Sequence, residues 1–326
     1  MAKLINWGII GLGGIAHKFA ADMRLAENTQ LKGVASRSAT KAQEFARQYQ
    51  ADTYYSDYVS LAEDDTIDIV YIATPNTLHY ENTLLCLQNN KSVVCEKPLG
   101  VASGEVENML AAARSRNLFL MEAIWTQFIP AFRKAMQLLA DGAIGEAISV
   151  HANFGFKRAF DAESRLFNRQ LGGGSLLDIG IYPIVVSYAA LGFPADIKAV
   201  ARKTTTQVDR SCEMIFQYEN GSTASLSSTF EAHTTNEAFI YGTEGKIKLE
   251  APFHHPQQIV IDNDKGREAL AIPHRGNGYV HEIESVNECL QQGLLEHPEM
   301  PLAGSLAISQ IIDKVKKEIG VTYESG

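Results

Sequence analysis

The chain has 326 residues, 45% of them hydrophobic and 21% charged, with a formal net charge of -9 from 29 basic against 38 acidic side chains. That length favours two domains, each with a sizeable core, and the acidic balance without any Lys/Arg block argues against a nucleic-acid partner. The four cysteines, Cys86, Cys95, Cys212 and Cys289, form no C-x-x-C pair, which argues against a disulfide framework or a zinc site and for reduced thiols in a cytoplasmic protein.

The opening MAKLINWGIIGLGG runs straight into a strand-like segment and lacks the separate apolar core and cleavage site of a signal peptide. Residues 4–10 (LINWGII) read as a strand and GLGGIAHKFAADMRLA as a helix. LKGVASR (31–37) is a second strand, followed by a helix with Ser38 as its N-cap. A short strand at 52–55, a helix around 57–63 and the apolar strand IDIVYIAT (67–74) come next, then the helical TLHYENTLLCLQNN. KSVVCEKP (91–98) is a strand, ASGEVENMLAAARSRN a helix and LFLMEAI (118–124) a strand. This strict alternation predicts a doubly wound parallel sheet over residues 1–122.

From about 145 the pattern changes. EAISVHANFGF, IKAVARKTT, RSCEMIFQYEN, STASLSSTF, NEAFIYG and GKIKLEAP alternate like strands, with hairpin turns at Asn220-Gly221 and Gly242-Thr243-Glu244-Gly245. They predict an α/β second domain over 123–326 with a large, mainly antiparallel, open-faced sheet. The uncharged run from Ile179 to Ala195 contains Gly180, Pro183, Gly192 and Pro194. It reads as a buried helix and exit loop, not as a span of roughly 30 Å of hydrocarbon, so no membrane is expected. Loops at 157–170 and 252–278 carry no decodable pattern, and helices at 280–293 and 304–319 close the chain.

Gly11, Gly13 and Ala16 fit the G-x-G-x-x-(G/A) dinucleotide fingerprint, with a strand before and a helix after. Gly11 permits the tight turn, Gly13 lets the backbone approach a pyrophosphate, and Ala16 lets helix and strand pack closely. Gly14 and Ile15 lie at the helix N-terminus, where free N–H groups meet phosphates. At the end of the second strand stand Ser36, Arg37 and Ser38, with Lys41 a turn later, where an NAD site has a carboxylate. Arg37 can pair with a 2′-phosphate or stack on adenine, and the serines can donate to the phosphate, so NADP(H) is expected over NAD(H).

Ligands of such a sheet bind beyond the carboxyl ends of the strands. There the chain places Thr74, Pro75, Asn76 and His79, then Glu96 and Lys97, then Trp125 as an apolar wall. Residues 172–183, GGGSLLDIGIYP, put Asp178 and Tyr182 four apart on one helical face of an apolar segment. A buried carboxyl is costly unless paired, so this face is expected to line a site. Arg165 and Asn168, just before the glycines, are candidate substrate contacts. His254 and His255 read as loop residues, and no metal site is expected.

In that order, G-L-G-x-I-A, T-P-N-x-L-H, C-E-K-P, M-E-A-I-W-T and G-G-G-S-L-L-D-I-G-I-Y-P resemble the glucose–fructose oxidoreductase and inositol 2-dehydrogenase (Gfo/Idh/MocA) family over nearly the whole chain. M-E-A-I-W-T and Met300-Pro301-Leu302-Ala303-Gly304-Ser305 resemble its branch of dimeric dihydrodiol dehydrogenases, which also act as NADP-dependent D-xylose 1-dehydrogenases. The resemblance implies Lys97 and Tyr182 as the catalytic pair, a sugar or cyclic diol as substrate, and a homodimer through the open sheet face. Many relatives have His where Tyr182 stands, which argues against an inositol dehydrogenase. The chemistry is coherent: a phenol titrates near pH 10 in isolation, and a neighbouring ammonium lowers that value. Lys97 beside Tyr182 would give an acid and base usable near neutrality, with Asp178 orienting the lysine or a substrate hydroxyl. Two other readings fit the same residues: a reductase of imines or tetrapyrroles on this scaffold, and a non-catalytic NADP-sensing regulator.

Overall fold

Alternating strands and helices close into the predicted parallel sheet. A computed structural model describes residues 3–323, which divide into two units. The first runs through Trp125 and includes Arg275–Leu306; the second comprises Thr126–His274 and the segment from Ala307. In the first, β1 (Ile5–Ile10), β2 (Thr29–Ala35), β3 (Thr53–Tyr55), β4 (Ile69–Ile72), β5 (Ser92–Glu96) and β6 (Leu120–Ala123) are ordered β3-β2-β1-β4-β5-β6, all parallel. The connecting helices are α1 (Gly14–Met23), α2 (Ala39–Tyr49), α3 (Tyr58–Ala62), α4 (His79–Gln88) and α5 (Ser103–Arg116). Strands β4 and β5 are buried along their whole length, as a sheet covered on both faces demands. Strand order reverses between β1 and β4, which makes that crevice the switch point where doubly wound sheets take ligands. Ser38 caps α2 as predicted, its Oγ accepting from Lys41 N.

The second unit contains α6 (Pro130–Ala140), β7 (Ala147–Gly155), α7 (Ile181–Leu191) and β8 (Asp196–Lys203). Then come β9 (Asp209–Gln217), β10 (Thr223–Thr229), β11 (Ala238–Gly242), β12 (Gly245–Leu249), β13 (Gln258–Asn263) and β14 (Gly266–Ala271). Their order is β14-β13-β12-β11-β7-β10-β9-β8, and β7–β10 is the one parallel pair among neighbours that otherwise run antiparallel. Helix α7 packs on β7 and β10. On the face away from it, Val200 and Ile215 stand 69% and 53% exposed.

Three features differ from expectation. The region 252–278 contains the β13–β14 hairpin, built on QIVIDN and turned at Gly266 with φ of 119°. An amphipathic helix, α6, opens with Pro130 at its start, where the missing N–H costs nothing. The glycine-led helix begins as a π turn over Leu176–Gly180 before continuing as α7. Within the uncharged run Ile179–Ala195, α7 is buried from Ile181 through Ser187, the buried helix expected from the sequence.

Helix α8 (Tyr279–Gln291) belongs to the first unit and α9 (Leu302–Ile319) ends the described helices. Asp22 of α1 anchors α8, its carboxylate accepting from the N–H groups of Asn277, Tyr279 and Val280. Trp7 Nε1 donates to Asn287 Oδ1 at 3.0 Å. All four cysteines are buried as free thiols.

Candidate active site

The glycine turn after β1 has the shape the fingerprint requires. Gly11 adopts a φ of 88°, and a Cβ there would lie 2.7 Å from the backbone of Ala73 and Thr74. By contrast, a Cβ on Gly13 or Gly14 would meet nothing within 4 Å. Gly13 at the N-cap of α1 supplies no side-chain cap and the first turn of the helix holds no acid, which suits its positive end to an anion. Ala16 is fully buried against the sheet. These residues fit the pyrophosphate of a dinucleotide.

Beyond β2, Ser36 N bonds Tyr55 O, and Ser36 Oγ accepts from Ser38 N at 3.2 Å. Arg37 and Lys41 are exposed beside this turn. At the end of β4, Thr74 and Asn76 are buried in the turn that also holds Pro75. His79 is fully buried, its Nδ1 2.7 Å from Pro98 O and its Nε2 2.9 Å from Thr74 O. The imidazole thus braces the Thr74 turn against the E-K-P turn. Glu96 accepts from the Tyr71 hydroxyl and, through Oε2, from Lys97 N at 3.2 Å. Behind this turn lie two further buried acids. Leu99 N donates to Glu122 Oε1 at 2.9 Å, yet burial pushes the Glu122 carboxyl up to about 7. Glu282 of α8 is fully buried with both oxygens unbonded among the described residues, and burial followed by the charge of Glu96 raises it well above the ordinary range. Trp125 is 7% exposed and stacks on Tyr279 at 4.4 Å, with planes 5° apart.

In the second unit, Tyr182 is 7% exposed, its ring 5.8 Å from Phe154 and 5.0 Å from His254. His254 lies in a loop, as expected, and also stacks on Phe154 at 4.4 Å. Its carbonyl accepts from Thr126 Oγ1 at 2.6 Å, which pins the loop. His255 packs edge-on against His254. Arg165 Nη1 donates to Asp178 Oδ1 at 3.0 Å, so two predicted site residues meet directly. Asn168 instead caps the short turn Arg169–Leu171, accepting from Gln170 N. The three glycines are explained by packing. Gly172 is left-handed with φ of 73°, a Cβ on Gly173 would crowd the carbonyls of Arg165, Leu166 and Asn168, and Gly174 has φ of 120°.

Phe154, His254 and Tyr279 escaped the sequence reading as site residues. Alternation in β7 puts Phe154 on the buried face with Val150 and Ala152, but nothing local shows which ring it meets. His254 and Tyr279 are brought in by tertiary packing alone.

The Gfo/Idh/MocA oxidoreductase family, described by an NAD-binding Rossmann fold, matches residues 5–124, and the GFO/IDH/MocA C-terminal domain matches residues 132–248. Trans-1,2-dihydrobenzene-1,2-diol dehydrogenase of Xenopus tropicalis is 36% identical over 332 residues, covering 98% of this chain and 99% of its own. Among solved structures, a 3-ketoreductase from Actinomadura kijaniata in complex with NADP and TDP-benzene is 28% identical with a TM-score of 0.86, covering 97% of this chain and 98% of its own. Tyrosine-to-phenylalanine and lysine-to-alanine mutants of that reductase, solved with the same two ligands, are each 27% identical to this chain. An aldose–aldose oxidoreductase from Caulobacter crescentus, 24% identical with a TM-score of 0.89 over 97% of both chains, shares the fold. The glycine turn, the switch-point crevice and these matches over nearly its full length lead to one conclusion: the chain belongs to the Gfo/Idh/MocA family, as a dehydrogenase with an NAD(P)-binding Rossmann domain.

Proposed function

We propose that the chain is an NADP-dependent dehydrogenase that moves a hydride between nicotinamide C4 and a secondary alcohol or hemiacetal carbon of a sugar or cyclic trans-diol. The observation that carries this reading is Tyr182: a phenol nine-tenths shielded from water, walled by Phe154 and His254, four residues beyond an Asp178 held by Arg165. Its likeness to diol dehydrogenases along the whole chain supports the substrate class.

When bound, the cofactor supplies the hydride acceptor or donor. In the oxidising direction Tyr182 Oη takes the proton of the substrate hydroxyl, and in the reducing direction it returns it. Lys97 is the second member of this proposed pair, a cation that would favour the phenolate form of the acid–base group. Asp178, held by Arg165, would accept from a second substrate hydroxyl and so orient the substrate for the reaction. Arg37, with Lys41, Ser36 and Ser38, takes the 2′-phosphate, in a turn that lacks the carboxylate of an NAD site. Trp125, stacked on Tyr279, offers a flat apolar wall to the nicotinamide side. The exposed Val200 and Ile215 support a homodimer through the open sheet face; Val200→Asp should then yield monomers in analytical ultracentrifugation.

The test follows nicotinamide absorbance with NADP+ and a panel containing D-xylose and trans-dihydrodiols, in the wild type and in Tyr182→Phe. Turnover by the wild type and its loss by roughly 10²–10⁴-fold in the variant, with NADPH affinity retained, is the expected result. Unchanged turnover in Tyr182→Phe removes the phenol from the reaction.

A further inference from the structure

The helix that carries Asp178 and Tyr182 starts from an unusual anchor. Its first turn is a π turn, a form often found at functional sites. Its N-cap residue, Ser175, makes no side-chain capping bond. Instead Asp209, the first residue of β9, reaches under the turn: Oδ2 accepts from Leu176 N and from Ser175 Oγ, both at 2.7 Å. Ser175 Oγ also lies 2.9 Å from Ser228 Oγ of β10, and all three polar side chains are fully buried. A carboxylate at a helix start without solvent is costly, and burial does raise the Asp209 carboxyl against the hydrogen bonds that lower it. The other oxygen, Oδ1, has no hydrogen-bond partner among the described residues and faces Gly174, where a Cβ would sit 2.4 Å away.

The opposite side of the glycine turn is held by the segment after α9. Tyr323 Oη donates to Gly173 O at 2.6 Å. Arg169 Nε donates to Thr322 O at 2.8 Å, and its Nη2 to Thr322 Oγ1 at 2.7 Å. A Cβ on Gly174 would lie 2.9 Å from that same Tyr323 hydroxyl, so one glycine is gripped between the two groups. Gly173 in turn seats the loop of Arg165, whose carbonyl oxygen a Cβ there would crowd at 2.8 Å. Loop, glycine turn and helix start are thereby tied to one another.

We propose that Asp209 and Tyr323 form a clamp that positions the catalytic helix: Asp209 fixes the π turn from below, Tyr323 fixes Gly173 from outside, and together they set where Tyr182 Oη and the Arg165–Asp178 pair lie for the reaction. The clamp rests on the reading of Tyr182 as the acid and base. Neither residue touches substrate; each acts through backbone groups of the glycine turn. Displacements of about 1 Å at a reacting group cost on the order of 100-fold in rate, which is why a turn without its own cap is worth pinning twice.

Tyr323→Phe removes one hydroxyl and leaves the ring. It should lower kcat about tenfold or more, with KM, NADPH affinity and melting temperature near wild type, and should raise the primary deuterium isotope effect as hydride transfer becomes limiting. Asp209→Ala should show the same signature more strongly, and Asp209→Asn, which keeps an acceptor for Ser175 and Leu176, should recover most of the rate. If Asp209→Ala does not fold, Tyr323→Phe and Asp209→Asn decide alone. A Tyr323→Phe enzyme with wild-type kcat and isotope effect overturns the clamp, as does a loss of rate matched by equal loss of NADPH affinity and melting temperature. Tyr182→Phe, run alongside, separates the two claims: if it is inactive while Tyr323→Phe is unaffected, only the clamp fails; if it is active, the acid–base reading falls and the clamp with it.

Discussion

Arg165 Nη1 meets Asp178 Oδ1 at 3.0 Å, tying a loop residue that is half exposed to a carboxylate on the π turn that is nearly buried. The pair joins two residues with no periodic relationship in sequence. Partly exposed ion pairs contribute about 0–1 kcal/mol to stability, so its value lies in orientation. Arg165→Ala should leave the melting temperature within a few degrees and lower kcat/KM for a diol or sugar by about 10–100-fold. Steady-state kinetics beside thermal unfolding checks this; a large drop in melting temperature with unchanged kinetics would reverse the assignment.

Arg37 is exposed, whereas Ser36 and Ser38 also bond backbone. Arg37→Ala should therefore act on the cofactor without disturbing α2. A charge-assisted contact to phosphate is worth about 1.5–3 kcal/mol. NADPH affinity is expected to fall roughly 10–100-fold while NADH affinity stays within about twofold, measured by fluorescence titration with each cofactor.

The two glycines of the fingerprint should fail in different ways. Gly11→Ala forces a side chain into a left-handed φ and against the Ala73 backbone at 2.7 Å, with an expected destabilisation of about 2–3 kcal/mol or more. Gly13→Ala meets no protein atom within 4 Å, so the protein should fold normally and lose cofactor affinity alone. Denaturant unfolding and NADPH titration on both variants distinguish the cases.

Glu122 gives a pH dependence with a definite sign. Its carboxyl titrates at about 7 in the folded chain against 4.5 when free. The folded state holds the proton more tightly, so this contribution to stability is full below pH 4.5 and is lost as pH rises to about 7. The loss is at most about 3.5 kcal/mol, since one pKa unit corresponds to about 1.4 kcal/mol. Urea unfolding at pH 5 and pH 8 should show a smaller difference for Glu122→Gln than for the wild type; equal differences would reject the assignment.

The first sheet was legible because β4, β5 and β6 are buried on both faces and the period switches sharply at each helix, as at Ile10 and Gly11. The second sheet was legible up to Leu249 and then less so. β13 reads QIVIDN, a short apolar run of the kind that strand and loop share, and β14 reads GREALA with most positions exposed, leaving no buried face to signal. The parallel β7–β10 pairing is a long-range register that no local pattern encodes. At the site, Asp178 announced itself as an acid in an apolar run, and Arg165 as a cation beside glycines. Asp209 did not, because it stands at the start of an ordinary alternating strand and its meaning comes from Leu176 and Ser175, 33 and 34 positions away. The π turn also has no composition of its own; it arises where the glycines let the chain be held from outside.

The return of Arg275–Leu306 to the first unit bears on how this enzyme can be cut and recombined. Helix α8 covers Phe19 with Tyr279 and satisfies the indole of Trp7 with Asn287, while Asp22 is spent on its N-terminus. A gene fragment stopping at residue 125 would therefore express a nucleotide-binding half with a large apolar wound and an orphaned carboxylate, prone to aggregation. Grafting this module into another dehydrogenase requires two pieces of coding sequence, the second being the stretch that encodes 275–306.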